Sequence, residues 1–175
     1  SGGNYNVVGG DDAGTAITTG DFNIAIGFEA LKAEDTGGRS IAIGYRTLLV
    51  QNNDANNYNI AIGYIAGTAI TTGIQNTLTG AISGDALTTG SHNVAYGYGS
   101  LSLDDVGSKS TAIGHDALRN QNFATATDSF NVAVGHDAGN DITTGIQNVL
   151  IGGLAGDALT DADFNVAVGA QALST

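Results

Sequence analysis

The chain has 175 residues, of which 27 are Gly, and it contains no Pro, Cys, Met or Trp. Its 17 acidic and 5 basic side chains give a net charge of -12, which repels phosphate backbones and anionic lipid surfaces, so we expect neither nucleic-acid binding nor membrane binding. The lack of Cys excludes disulfides and thiolate chemistry, and no apolar run reaches the roughly 18 residues of a membrane helix, so we expect no membrane insertion.

A short phrase recurs ten times: Asn or Ser, then apolar, small and apolar residues, then Gly. The copies begin at Asn6, Asn23, Ser40, Asn59, Asn76, Asn93, Ser110, Asn131, Asn148 and Asn165. Most steps are 17 residues, with one of 19 and one of 21. A repeat that fills the chain predicts a solenoid whose stacked coils share one core. Residues 1–175 should therefore form a single repeat domain, which we interpret as a piece of a longer fibrous protein.

Each phrase alternates with period two and is rich in β-branched residues, which predicts a short strand ended by a Gly turn. Thr-Thr-Gly, as at residues 71–73, marks a second turn in several coils, so we expect two short strands per coil. The fold class is thus an all-β parallel solenoid of ten coils. Seventeen residues give a perimeter of roughly 56 Å, and ten coils give a rod roughly 48 Å long.

The two longer intervals between copies contain the segments 49–58 and 119–130, which are inserted at the same point of the coil. Insertions at one point of a repeat predict loops on one edge of the rod. We expect residues 52–57 and 123–128 of these loops to share one binding edge with the column of rings that follows the strands, because loops on a rigid scaffold often carry recognition.

The middle position of each strand is small and apolar, where a half-exposed sheet should show polar residues. We interpret this stripe as an outward face that packs against other subunits, opposite β-branched core positions. A simpler explanation is that Ala is tolerated on a crowded strand. The predicted interface residues are Ala25, Ala42, Ala61, Ala95, Ala112, Ala133 and Ala167.

The phrases at residues 40–47 and 110–117 closely resemble the head repeats of YadA-type trimeric autotransporter adhesins, and similar repeats occur in bacteriophage tail fibres. The resemblance implies a left-handed parallel β-roll, a homotrimer, and an extracellular appendage or virion fibre that binds a host surface. It covers nearly the whole chain. The family's repeats are typically shorter than 17 residues, and no neck, stalk or anchor is recognisable here, so the adhesin and the phage fibre both remain open.

A column of rings directly follows the strand Gly. The predicted binding residues in it are Phe28, Tyr45, Tyr64, Tyr98, His115 and His136. Exposed rings can stack on sugars, which makes a neutral glycan the favoured ligand and leaves a protein receptor as an alternative. A competing interpretation is that the rings only pack. His115 and His136 should lie on adjacent coils and could hold a metal if they converge, but we expect a solvent-facing stack and no bound metal or cofactor.

No Ser, His and Asp set stands out from the repeat, so we expect no enzymatic activity. The favoured function is a non-catalytic adhesin or receptor-binding fibre segment, with a structural spacer and an ice-binding solenoid as alternatives. Ice binding would need a flat Thr array. Adjacent Thr in an extended strand point to opposite faces, which argues against such an array here.

Overall fold

The computed structural model describes residues 3–174, and within that range the protein is all-β with no helix. Ten strands form one parallel sheet: β1 (Val7–Gly9), β2 (Ile24–Ile26), β3 (Ile41–Ile43), β4 (Ile60–Ile62), β5 (Thr77–Thr79), β6 (Val94–Tyr96), β8 (Thr111–Ile113), β10 (Val132–Val134), β11 (Val149–Ile151) and β12 (Val166–Val168). They are hydrogen-bonded in chain order. A small second sheet pairs β7 (Gly107–Ser108) with β9 (Thr127–Asp128). The predicted parallel solenoid of ten coils is confirmed.

The strands stack in register, so that equivalent residues of successive coils lie beside each other. Ala25 pairs with Ala42, and Ala42 pairs with Ala61. Each of these side chains is fully buried inside the single chain, whereas the flanking residues Ile26 and Ile62 are exposed. The middle position of the strand therefore faces the interior of the coil.

This orientation corrects the predicted faces of the sheet. The alanines predicted to contact other subunits lie inside the chain with at most 2% of their surface exposed: Ala25, Ala42, Ala61, Ala95, Ala112, Ala133 and Ala167. They cannot touch another subunit. The physical reason is the narrow coil, in which side chains from the opposite wall reach the strand and leave room for little more than a methyl group. The β-branched residues face outward instead.

The wall opposite the strands fills the core in one of two patterns. In some coils a Leu, such as Leu48, is followed three residues later by a buried polar residue, such as Gln51. In other coils a Gly, such as Gly67, is followed three residues later by a large apolar residue, such as Ile70. A Cβ added to Gly67 would meet Leu78 Cδ1 at 2.8 Å and Ile70 Cδ1 at 3.2 Å. Large and small residues thus compensate for each other, and the core has no spare volume at this point.

The Gly that follows each strand has a positive φ and, except at Gly169 in the last coil, touches the next coil. Gly63 has φ 144°, and a Cβ placed on it would meet the carbonyl oxygen of Gly80 at 2.3 Å. The prediction that this Gly is needed for its backbone conformation and for close approach is confirmed.

The return path of each coil is not the second strand that the sequence predicts, except at β7 and β9 and at the bridge between Gly38 and Asn56. After the strand Gly, alternate residues adopt left-handed backbone conformations, as at Arg46 (φ 55°) and Leu48 (φ 49°). Such a chain turns too sharply to be extended. Successive return paths are still joined by backbone hydrogen bonds, such as Thr71 N to Thr88 O at 2.9 Å.

Buried amides join the coils on the inside. Asn59 donates from Nδ2 to Gly73 O at 2.7 Å, and its Oδ1 accepts from the backbone N of Asn76 at 2.9 Å. The same pair of bonds recurs at Asn76 with Gly90 O and Asn93 N. The Asn column is therefore a ladder that satisfies buried backbone groups.

Candidate functional site: the sheet face and its two aromatic columns

The residue after each strand Gly forms a line along the solenoid that we call the post-strand column. It comprises Asp11, Phe28, Tyr45, Tyr64, Ala81, Tyr98, His115, His136, Gly153 and Ala170. Ring centroids are 5.4 Å apart between Phe28 and Tyr45 and 5.2 Å apart between Tyr45 and Tyr64. After Ala81, Tyr98 and His115 stack at 5.2 Å, and His115 and His136 stack at 4.9 Å. All six predicted binding residues are exposed and lie in two stacks of three rings.

Charged side chains cover one flank of the first stack. The Arg46 guanidinium lies 5.2 Å from the Tyr45 ring centroid and donates from Nε to Glu29 Oε2 at 2.6 Å. Lys32 donates to Glu29 Oε1 at 2.6 Å. The hydrogen bond from Lys32, followed by the one from Arg46, lowers the pKa of the Glu29 carboxyl. Lys32 also donates to Asp12 Oδ2 at 3.0 Å, so two cations and two anions balance on this flank, which makes it less acidic than the chain as a whole.

The second stack carries two histidines, each beside its own aspartate. His136 Nδ1 lies 2.8 Å from Asp137 Oδ2, and His115 Nδ1 lies 3.3 Å from Asp116 Oδ2. A shallow cleft of about 170 Å³ opens next to His136 and is lined by Asp137, Asn140, Asp141, Leu154 and Asp157. The predicted solvent-facing stack of the two imidazoles is confirmed.

The outward residues of the ten strands make a continuous surface that we call the sheet face. Its first column reads Val7, Ile24, Ile41, Ile60, Thr77, Val94, Thr111, Val132, Val149 and Val166, and its second reads Gly9, Ile26, Ile43, Ile62, Thr79, Tyr96, Ile113, Val134, Ile151 and Val168. Neither column contains a charged residue. An apolar strip that runs the length of a strongly acidic rod is typical of a contact surface.

A second aromatic column precedes the strands and was missed at the sequence level. This pre-strand column comprises Tyr5, Phe22, Arg39, Tyr58, Gln75, His92, Lys109, Phe130, Gln147 and Phe164, each with a positive φ. Tyr5 and Phe22 stack at 5.0 Å, and the Arg39 guanidinium lies 5.2 Å from the Phe22 ring and 5.7 Å from the Tyr58 ring. The signal was present in the residue before each Asn or Ser. The sheet face is therefore bordered by rings at both ends of its strands.

The two inserted loops lie beside the pre-strand column, since they end at Tyr58 and Phe130. The expectation that they flank the post-strand column is wrong. Phe123, which the sequence suggested as part of an exposed binding loop, is buried at 5% exposure. Phe123 thus points inward from the loop, whereas Asn122, residues 124–126 and Asp128 around it are exposed.

Each insertion also encloses a carboxylate in a buried polar cluster. Glu34 accepts hydrogen bonds from Gln51 Nε2 at 2.9 Å, Asn57 Nδ2 at 2.8 Å and the backbone N of Gly37 at 2.8 Å. Asp104 accepts from Gln121 Nε2 in the same way at 2.6 Å. Burial raises the pKa of both carboxyls. Both are fully buried, so neither is accessible to a substrate.

The Thr pairs differ from their predicted geometry. Thr71 and Thr72 are both exposed, as are Thr143 and Thr144, because the pairs lie in bends and not in extended strands. The argument that paired Thr must point to opposite faces is therefore wrong. The pairs nevertheless occur in only four coils, so they do not form a continuous flat array.

No protein-family model, curated protein or solved structure matches the chain. Among the described residues there is no helix that could cross a membrane. The site must therefore be interpreted from its own chemistry.

Proposed function

We propose that this chain is a non-catalytic segment of an extracellular fibre, of the kind found in trimeric adhesins and phage tail fibres, that attaches to a cell surface. The observation that carries the proposal is the uncharged sheet face bordered by two exposed aromatic columns. The interior of the solenoid is closed by its own side chains, so recognition must use its outer surface.

The sheet face is the surface on which copies of the chain meet in a homotrimer. Each copy carries a charge of -12, so two copies repel each other except where their contact surfaces are free of charge. Ten three-residue strands make a strip about 48 Å long and about 10 Å wide, which covers roughly 500 Å², somewhat less than the roughly 800 Å² that each partner of a standard interface buries. The subunit contact thus moves from the buried alanines to the neighbouring β-branched residues.

The ligand of the first stack, Phe28, Tyr45 and Tyr64, is a neutral glycan. The three rings stack on one another at 5.2–5.4 Å, which covers their facing surfaces, and are 38–56% exposed, so a sugar can lie along their edges. Glu29, Arg46 and Lys32 offer hydrogen-bond donors and acceptors for sugar hydroxyls on the same flank. The remaining acidic surface disfavours polyanionic ligands.

The proposal is tested with a glycan array and with whole-cell binding, comparing the wild type with a Tyr45→Ala, Tyr64→Ala double variant. A matched control is Tyr5→Ala, Phe22→Ala, which removes a stacked pair from the pre-strand column. We expect the first variant to lose glycan binding, the control to keep it, and both to keep their circular dichroism spectra.

Two results would contradict the proposal. If the wild type binds no glycan and no cell, the segment is a passive spacer that holds a binding tip away from its base. If both double variants lose binding equally, the first stack is not the specific site.

A further inference from the structure

We propose that His115 and His136 form a binding site for a divalent transition-metal ion, such as Zn²⁺, that links two adjacent coils. The inference is independent of the proposed attachment function, and it revises the sequence-based expectation of no bound metal. It starts from the only two neighbouring histidines in the sequence, which lie at equivalent positions two residues beyond the paired strands β8 and β10.

The orientation of the two rings leaves one nitrogen of each imidazole free. Each Nδ1 faces its own aspartate, Asp116 for His115 and Asp137 for His136. A carboxylate beside Nδ1 favours the tautomer whose proton is on Nδ1 and whose Nε2 carries a lone pair, which is the arrangement around most metal-binding histidines. The ring planes are 6° from parallel, and each Nδ1 faces the aspartate of its own coil, so the two imidazoles are held in similar settings.

The distances are compatible with shared coordination. The ring centroids are 4.9 Å apart, and one ligand atom from each of His115, His136 and Asp137 lies within 4.8 Å of the others. Two nitrogens on one tetrahedral Zn²⁺ are about 3.4 Å apart, since each bond is about 2.1 Å. The two rings must therefore approach each other by roughly 1.5 Å and rotate so that their lone pairs converge, which exposed side chains can do, and water completes the coordination shell.

The charge around the site favours a cation. Asp116 and Asp137 lie beside the rings, and Asp141 and Asp157 line the adjoining cleft. Asp116 Oδ1 lies 3.8 Å from Arg119 Nε, which offsets part of this negative charge, and Asp157 Oδ1 is buried without a hydrogen-bond partner. Imidazole nitrogen selects a transition metal over Ca²⁺ or Mg²⁺, which prefer oxygen ligands. Nitrogen ligation thus distinguishes this site from a general acidic surface.

The test is a calorimetric titration of the intact chain with Zn²⁺ near neutral pH. We expect one ion per chain, a loss of affinity of at least about tenfold in His115→Gln and in His136→Gln, and a loss of about 10–100-fold in Asp137→Asn. The matched control is His92→Gln, which changes the third histidine of the chain, in the pre-strand column.

Three outcomes would overturn the site. The first is no Zn²⁺ binding by the wild type, and the second is equal affinity in the wild type and in His115→Gln. The third is equal binding of Ca²⁺ and Zn²⁺, which would assign the ion to the oxygen-lined cleft at Asp141 and Asp157. Thermal melting with Zn²⁺ gives a second measurement, since binding to the folded state alone must raise the melting temperature.

Discussion

The Gly column offers a quantitative test of how the coils stack, because three glycines separate backbone strain from steric contact. At Gly63 the φ is 144°, and an added Cβ would lie 2.3 Å from the carbonyl oxygen of Gly80 and 2.6 Å from its carbon. At Gly169 in the last coil the φ is 123°, but nothing lies within 4 Å of the added Cβ. At Gly153 the nearest atom is His136 O at 3.9 Å, and no positive φ is required.

We expect the loss of stability caused by the Ala substitution to increase from Gly153 to Gly169 to Gly63. Gly153→Ala should change the free energy of unfolding by less than about 1 kcal/mol, since it meets neither constraint. Gly169→Ala has only the unfavourable backbone conformation, which costs about 1–3 kcal/mol, and its end coil can relax part of it. Gly63→Ala combines that cost with an overpacking cost of about 1–3 kcal/mol, for a total of about 2–6 kcal/mol.

The assay is urea unfolding followed by circular dichroism, with the oligomeric state of each variant measured at the same concentration. The reasoning is refuted if Gly63→Ala costs no more than Gly169→Ala, because the contact between successive coils would then contribute nothing. It is also refuted if Gly153→Ala is as damaging as Gly63→Ala.

Three further predictions concern the core, the buried acids and the repeat. Ala61→Glu should prevent folding, because it buries an unpaired charge, whereas Ile62→Glu on the sheet face should leave a folded chain. Circular dichroism distinguishes the two variants, and equal spectra would contradict the conclusion that Ala61 faces the core and Ile62 faces outward. The pKa of the buried carboxyls of Glu34 and Asp104 is raised, so the folded state binds their protons more tightly than the unfolded state does. Their contribution to stability is therefore greatest below the ordinary carboxyl pKa of about 4 and is lost as the pH rises through the raised folded-state pKa. Urea unfolding of a Glu34→Gln, Asp104→Asn variant from about pH 4 to about pH 8 should show a weaker loss of stability with rising pH, and a slope equal to that of the wild type would contradict this. Deleting one 17-residue coil should be better tolerated than inserting one residue within 59–63, because the insertion reverses which side chains face the core; equal thermal stability of the two variants would argue against an ordered repeat.

The sequence was sufficient to predict the solenoid, because the period and the Gly column repeat ten times and only one stacking register satisfies them. It was not sufficient to orient the strands. Alternation shows that Ala61 and Ile62 face opposite ways, but which one faces inward depends on how far Ile70 reaches across the coil from the other wall. The post-strand stack was predictable because its rings recur at a fixed position.

The missed features share a physical cause. The pre-strand column mixes rings with Arg39, Gln75 and Lys109, so that no single residue type marks it as a column. Similarly, the return path is not a strand because residues such as Leu48 adopt left-handed conformations. Non-Gly residues rarely adopt this conformation, so the sequence alone does not predict it. In both cases stacking between coils determines the outcome, and stacking is not visible within one repeat.

The most direct test of the proposed fibre segment is its mass in solution, measured by sedimentation equilibrium on the wild type and on an Ile62→Glu, Val134→Glu variant of the sheet face. The proposal predicts a wild-type mass of three times the 17.5 kDa chain and a folded monomer for the variant, since the substitutions place charge on an uncharged contact surface. A wild type that remains monomeric at concentrations well above the micromolar range would contradict assembly through the sheet face.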